Sequence, residues 1–199
     1  MRDRDNLPRL VVLISGSGTN LQAILDACAQ GTLPAQVVAV VSNQADAFGL
    51  QRAAAAGVAT LALAKQPGQD RRAYDTALAD AVAAYAPDWI VLAGWMRILT
   101  LNFLSRFPSR VINLHPALPG AFPGVHALER AYAAHTRGEI GHTGVMVHLV
   151  PDEGVDDGPV LATAEVAFEP GESLEEFTAR MHQVEHWLLV DTLRRLVTQ

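Results

Sequence analysis

A chain of 199 residues, half of them hydrophobic and with a formal net charge of −6, carries enough apolar side chain for one sizeable buried core. That balance excludes a disordered chain, and the net charge argues against a general nucleic-acid or membrane-surface binder. The single cysteine, Cys28, excludes an internal disulfide framework and fits a reducing cytoplasm, where it reads as a packing residue on a helical pattern. All but Lys65 of the 15 basic residues are Arg, so a local Arg-lined pocket stays open. No apolar run reaches membrane-spanning length, and residues 1–8 lack the apolar centre of a secretory signal and read as a flexible tail.

Residues 9–15 form a continuous apolar run of the kind covered on both faces in a parallel sheet. Gly16 and Gly18 then open a turn, and helical spacing follows from Leu21. A strand, a glycine turn and a helix start make an anion site, because free backbone N–H groups and the positive end of the helix dipole face the ligand. Thr19 and Asn20 are placed either to cap the helix or to bond phosphate oxygens. No Gly-Lys-Ser/Thr follows, and Leu21 stands where a dinucleotide fingerprint has its third glycine, so a small phosphorylated substrate fits better than ATP or NAD. A plain capped turn is the alternative.

Further strands are expected at 36–42, 58–64 and 88–93, with helices at 49–56, stopped by Gly57, and 71–85, ended by Pro87. Strict alternation implies an α/β chain with a doubly wound, mostly parallel sheet and helices on both faces. Residues 111–116 make another short buried strand, and at its carboxyl end stand Asn113 and His115. Residues two apart on a strand share a face, and ligands of such sheets bind outside the carboxyl ends of strands. The pair is therefore a candidate reacting centre, with satisfied turn formers as the alternative.

A stiff Pro/Gly loop over 116–124 and a helix over 126–137 come next. Strands at 143–150 and 159–168 lie close enough to imply an antiparallel edge, joined by an acidic loop at 151–158. Such a loop is ordinarily a solvated turn; folded over His115, its carboxylate would raise the imidazole pKa. Ser173 and Glu176 form a capping box for a final helix. On that helix His182, Glu185 and His186 match a zinc-protease string, but no third ligand follows, so metal chemistry is not expected.

Taken together, SGSGTNLQAIL, VVSNQADAFGLQRA, DWIVLAGWMRIL, VINLHPALPGAFPG, HTGVMVHLVPDEGVDDGP and VEHW occur in order and cover nearly the whole chain. The set resembles the phosphoribosylglycinamide formyltransferase family, whose fold is a Rossmann-like formyltransferase fold. The resemblance implies 10-formyltetrahydrofolate as co-substrate, glycinamide ribonucleotide as acceptor and no metal. It implies Asn113, His115 and Asp156 as the catalytic residues, and Gly18, Thr19 and Asn20 as the phosphate-binding segment. Glu185 then contacts the ribonucleotide, and Arg71, Met96, Arg97, Ile98 and Leu99 contact the folate. Ala117-Leu118-Pro119-Gly120 departs from the family's usual Ser-Leu-Leu-Pro.

Residues 9–199 are expected to be one catalytic domain acting on small molecules, without nucleic acid or membrane; a homodimer is compatible with this. A formyltetrahydrofolate hydrolase would usually carry a regulatory domain ahead of the first strand, and a formyltransferase acting on tRNA a basic added domain. A non-catalytic nucleotide-binding module would leave Asn113, His115 and Asp156 without a reason.

Overall fold

The computed structural model describes residues 7–198, so most of the tail expected at 1–8 lies outside the described residues. Seven strands form one sheet in the order β3-β2-β1-β4-β5-β6-β7. They are β1 (Arg9–Ile14), β2 (Gln36–Ser42), β3 (Ala59–Ala62), β4 (Trp89–Leu92), β5 (Val111–His115), β6 (His142–Leu149) and β7 (Val160–Ala167). The first five are parallel, while β6 runs antiparallel to both β5 and β7. The fold is thus the α/β, Rossmann-like architecture expected, with the antiparallel edge where two strands follow within one short loop.

The helices are α1 (Thr19–Gln30), α2 (Phe48–Ala55), α3 (Arg71–Ala83), α4 (Leu101–Leu104), α5 (Ala127–Thr136) and α6 (Leu174–Val197). One face of the sheet carries a core in which Leu21 and Ile24 of α1 and Phe177, Met181 and Leu189 of α6 pack on Leu10, Val12 and Ile112. On the other face Tyr74, Leu78 and Val82 of α3 and Phe103 of α4 pack on Val11, Leu13 and Ile90. Central strands are apolar on both faces for this reason, whereas the edge strand β3 keeps only Leu61 partly buried. That exposure shortens β3 to four residues inside the expected 58–64.

Strand order reverses between β1 and β4, which makes the space beyond their carboxyl ends the switch-point crevice of the sheet. Ser173 accepts from the Glu176 N–H and Glu176 reaches back to Ser173, completing the capping box of α6. Helix α4 was not expected. Its single turn is too short to show a period, and its start is set by contacts from far along the chain: Thr100 N–H donates to Asp75 at 2.6 Å and Leu101 N–H to Glu153 at 3.0 Å.

Candidate functional site

The turn after β1 is built on Gly18, whose φ of 71° lies in the left-handed region. A Cβ there would sit 2.6 Å from Gly49 Cα, so α2 can approach the turn only because this residue is glycine. Helix α1 begins at Thr19 with no side-chain cap. Thr19 and Asn20 therefore do not serve as the caps considered above. Asn20 Nδ2 instead donates to Glu185 Oε2 at 2.9 Å, tying α1 to α6, while its Oδ1 is buried without a partner.

This turn lines a cavity of about 530 Å³ together with Gly94 and Met96 after β4, Leu114 and Pro116 of the β5 end, His126, and His182 and Glu185 of α6. Glu185 is only 5% exposed. Burial pushes its carboxyl pKa above the ordinary range, against the opposing pull of Asn20 and His182. The zinc-like string is thus divided: Glu185 is committed to Asn20, and the His182 and His186 rings stack on each other with centroids 6.4 Å apart.

Asn113 and His115 occupy the opposite face of β5 from Leu114, as strand alternation requires. The acidic loop does fold over them. Asp156 Oδ1 accepts from Asn113 Nδ2 at 3.0 Å, and Asp156 Oδ2 lies 3.3 Å from His115 Nδ1 and accepts from Gly124 N–H at 2.8 Å. The loop is held at its other side by Glu153 on the first turn of α4. The Asp157 carboxylate lies against Gly154.

His115 is 4% exposed, and its Nε2 is 3.1 Å from the Phe122 carbonyl. A carbonyl only accepts, so Nε2 carries a proton. The expected rise in the imidazole pKa does not occur. Burial of the ring lowers it, and although Asp156 and the backbone of Ala121 and Phe122 pull upward, they do not overcome that cost. Burial also works against the Asp156 carboxylate, but the His148 imidazole, the Gly124 N–H and the His115 ring together hold it below its usual value.

Three residues of this region adopt left-handed backbone without being glycine: Phe122 at φ 46°, His126 at 57° and Asp156 at 55°. Such conformations cost about 1–3 kcal/mol each and gather where geometry serves function. Arg130 of α5 helps hold the loop by donating to the Phe122 and Pro123 carbonyls.

Arg71 Nη2 donates to the Ile98 carbonyl at 2.9 Å, and the Arg97 guanidinium stacks 4.9 Å over the Tyr74 ring. Met96 and Ile98 are exposed there, whereas the Leu99 side chain is buried in the core. Arg71, Arg97, Ile98 and Leu99 are thus brought together on the α3 side of the sheet, with Leu99 as a packing residue, whereas Met96 lines the cavity beside the turn after β1.

One site residue escaped the sequence reading. His148 lies opposite Asn113 in the β5–β6 register, with Nε2 3.1 Å from Asn113 Nδ2 and 3.6 Å from Asp156 Oδ1. The signal for it was parity: in an antiparallel strand pair one strand's candidate residues have partners on the other. Cys28 behaves as expected of a packing thiol, since burial pushes its pKa up to about 11.

Comparison with known proteins accounts for this arrangement. Residues 8–193 match the family described as formyl transferase. The phosphoribosylglycinamide formyltransferase of Schizosaccharomyces pombe is 44% identical over 201 residues, spanning 95% of this chain and 97% of the relative. The protein of the same name from Escherichia coli (strain K12) is 46% identical over 177 residues, 89% of this chain and 81% of the relative. Glycinamide ribonucleotide transformylase 1 from Symbiobacterium toebii superposes with a TM-score of 0.89 at 41% identity, over 96% of this chain and 88% of that one. The chain belongs to the formyl transferase family.

Proposed function

We propose that the protein transfers the formyl group of 10-formyltetrahydrofolate to the primary amine of glycinamide ribonucleotide, a step of purine biosynthesis. The observation that carries this is the junction at the β5 end. Asn113 and His115 each stand within hydrogen-bonding distance of Asp156 beside a cavity that begins at an uncapped helix N-terminus. Relatives named for this reaction share 44–46% of their residues with the chain over most of its length.

The phosphate binds the backbone N–H groups at Gly18, Thr19 and Asn20, where the dipole of α1 favours an anion. Glu185 accepts hydrogen bonds from the ribonucleotide. The folate lies against Arg71, Arg97 and Ile98 on the α3 side, with Met96 at the border of the ribonucleotide cavity, so the two substrates meet at the end of β5. The amine attacks the formyl carbon, and charge develops on the formyl oxygen. Asn113 Nδ2–H and His115 Nε2–H donate to it, the latter exchanging the Phe122 carbonyl for the oxyanion. Asp156 orients both donors and accepts the proton leaving the amine, which passes to folate nitrogen as the carbon–nitrogen bond to the carrier breaks. No covalent enzyme intermediate and no metal enter these steps.

The same proposal takes residues 9–199 as one catalytic domain, since all seven strands share a sheet and α6 packs on both of its last strands. It places the enzyme in the cytoplasm, where a lone thiol stays reduced; among the described residues no helix is long and apolar enough to cross a membrane. Replacing His115 by Asn tests the assignment: turnover should fall by about 10²–10³ in folded protein, and near-normal turnover would refute it.

A further inference from the structure

We infer that Arg52 is a positioning residue for the phosphate turn: from α2 it holds the Ser17–Gly18 peptide so that the Gly18 N–H, and not the Ser17 carbonyl, faces the anion. The inference rests on the ribonucleotide phosphate site proposed above.

Arg52 Nε donates to the Ser17 carbonyl at 2.9 Å, and the Gly49 N–H, one turn earlier on α2, donates to the Gly16 carbonyl at 3.0 Å. In a trans peptide the carbonyl and the following N–H point in opposite directions. Two successive carbonyls held toward α2 therefore turn the N–H groups of Ser17 and Gly18 away from it. Among the described residues no acceptor meets the N–H groups of Ser17, Gly18, Thr19 or Asn20. All four residues line the cavity of about 530 Å³, whereas no residue of α2 does.

The same turn is prone to the wrong arrangement. Rotating the Ser17–Gly18 peptide by half a turn changes mainly ψ of Ser17 and φ of Gly18, and a glycine, here at φ 71°, accepts either sign of φ. The flipped peptide would present a carbonyl oxygen to a phosphate oxygen. Such a rotation has to break the Arg52 bond. The arginine is itself held on other sides: Nη1 donates to Gln22 Oε1 of α1 at 3.2 Å, and Cζ lies 4.9 Å from the Phe48 ring centroid. Its Cδ stands 3.5 Å from where a Gly18 Cβ would be. Arg52 is thus committed to the turn and acts on the phosphate through it.

Three substitutions test this, with kcat and KM measured for both substrates alongside thermal unfolding. Arg52→Met keeps a stem without a donor. It should raise KM for glycinamide ribonucleotide by about 10- to 100-fold. Its kcat and its KM for the formyl folate should stay within about threefold of wild type, the signature of lost uniform binding. Arg52→Gln places its Nε2 as many bonds from Cα as the arginine Nε, without the charge, and should recover most of the loss. Arg52→Lys keeps the charge but sets its nitrogen one bond farther out, and should recover less than Gln.

Recovery by Lys as good as or better than by Gln would make Arg52 a charge contact of the phosphate and overturn the positioning role. A similar rise in KM for both substrates, a loss confined to kcat, or an unchanged KM in Arg52→Met would overturn it too. Should the Met variant not fold, the comparison of Gln with Lys decides alone. A wild-type protein silent with both substrates would instead overturn the formyl transfer, so the two failures are distinct.

Discussion

Replacing Asp156 with Asn removes one charge and one acceptor from a side chain that is only 11% exposed. In the wild type its two oxygens accept from Asn113 at 3.0 Å and from Gly124 at 2.8 Å. An amide has a single oxygen, so whichever way it turns, one of those N–H groups meets an NH2. Losing a hydrogen bond to a charged group costs about 1.5–3 kcal/mol, offset in part because a charge is no longer buried. A net loss of about 1–2 kcal/mol lowers Tm by roughly 2–8 °C for a chain of this size.

The effect on catalysis should be larger, about 10²–10³ in kcat, since Asn113 and His115 both lose their orienting partner. The stability loss also has a pH signature. The folded pKa of Asp156 lies below its ordinary 3.8, so the carboxylate's contribution is present above that value and is lost as pH falls through the folded pKa. His115, depressed from 6.5, adds to the acid sensitivity, because protonating it on acidification favours the unfolded chain. The Tm difference between wild type and Asp156→Asn should therefore close in acid. Thermal unfolding by circular dichroism and spectrophotometric formyl transfer measure the two effects. A folded Asp156→Asn protein within about threefold of wild-type kcat would refute the assigned role.

Two further substitutions probe the ribonucleotide side. Gly18→Ala forces a Cβ to 2.6 Å from Gly49 Cα at a φ of 71°, so it should destabilise by about 1–3 kcal/mol and raise KM for the phosphorylated substrate. Unfolding and kinetics on one preparation check both, and unchanged values would remove the glycine from the phosphate site. Glu185→Gln keeps an acceptor for Asn20 while removing a buried carboxyl whose pKa is raised from 4.5. A raised carboxyl pKa means that its contribution is present at low pH and lost as pH rises through the folded value. The variant's Tm should therefore gain on the wild type with rising pH, while KM for the ribonucleotide increases. A Tm gap independent of pH would show that Glu185 is not titrating as its burial requires.

The sheet was readable because its central strands are apolar on both faces, and runs such as residues 9–15 and 36–42 need no partner to identify them. Asn113 and His115 were readable for a related reason: strand parity puts residues two apart on one face. What local pattern does not hold is anything set by contacts distant in sequence. Helix α4 has one turn and depends on Asp75 and Glu153. His148 depends on the register between β5 and β6. The direction of the His115 pKa depends on how completely the ring is buried, which a neighbouring carboxylate in the sequence cannot reveal. Thr19 and Asn20 show the same limit, since a chemistry suited to capping is overridden by the pairing of Asn20 with Glu185 on α6.

The most direct measurement is formyl transfer from a 10-formylfolate analogue, followed spectrophotometrically with and without glycinamide ribonucleotide. Release of the deformylated folate only when the ribonucleotide is present is the expected result. Release without it would point to a hydrolase using water as acceptor, and no release in either case from folded protein would contradict formyl transfer altogether.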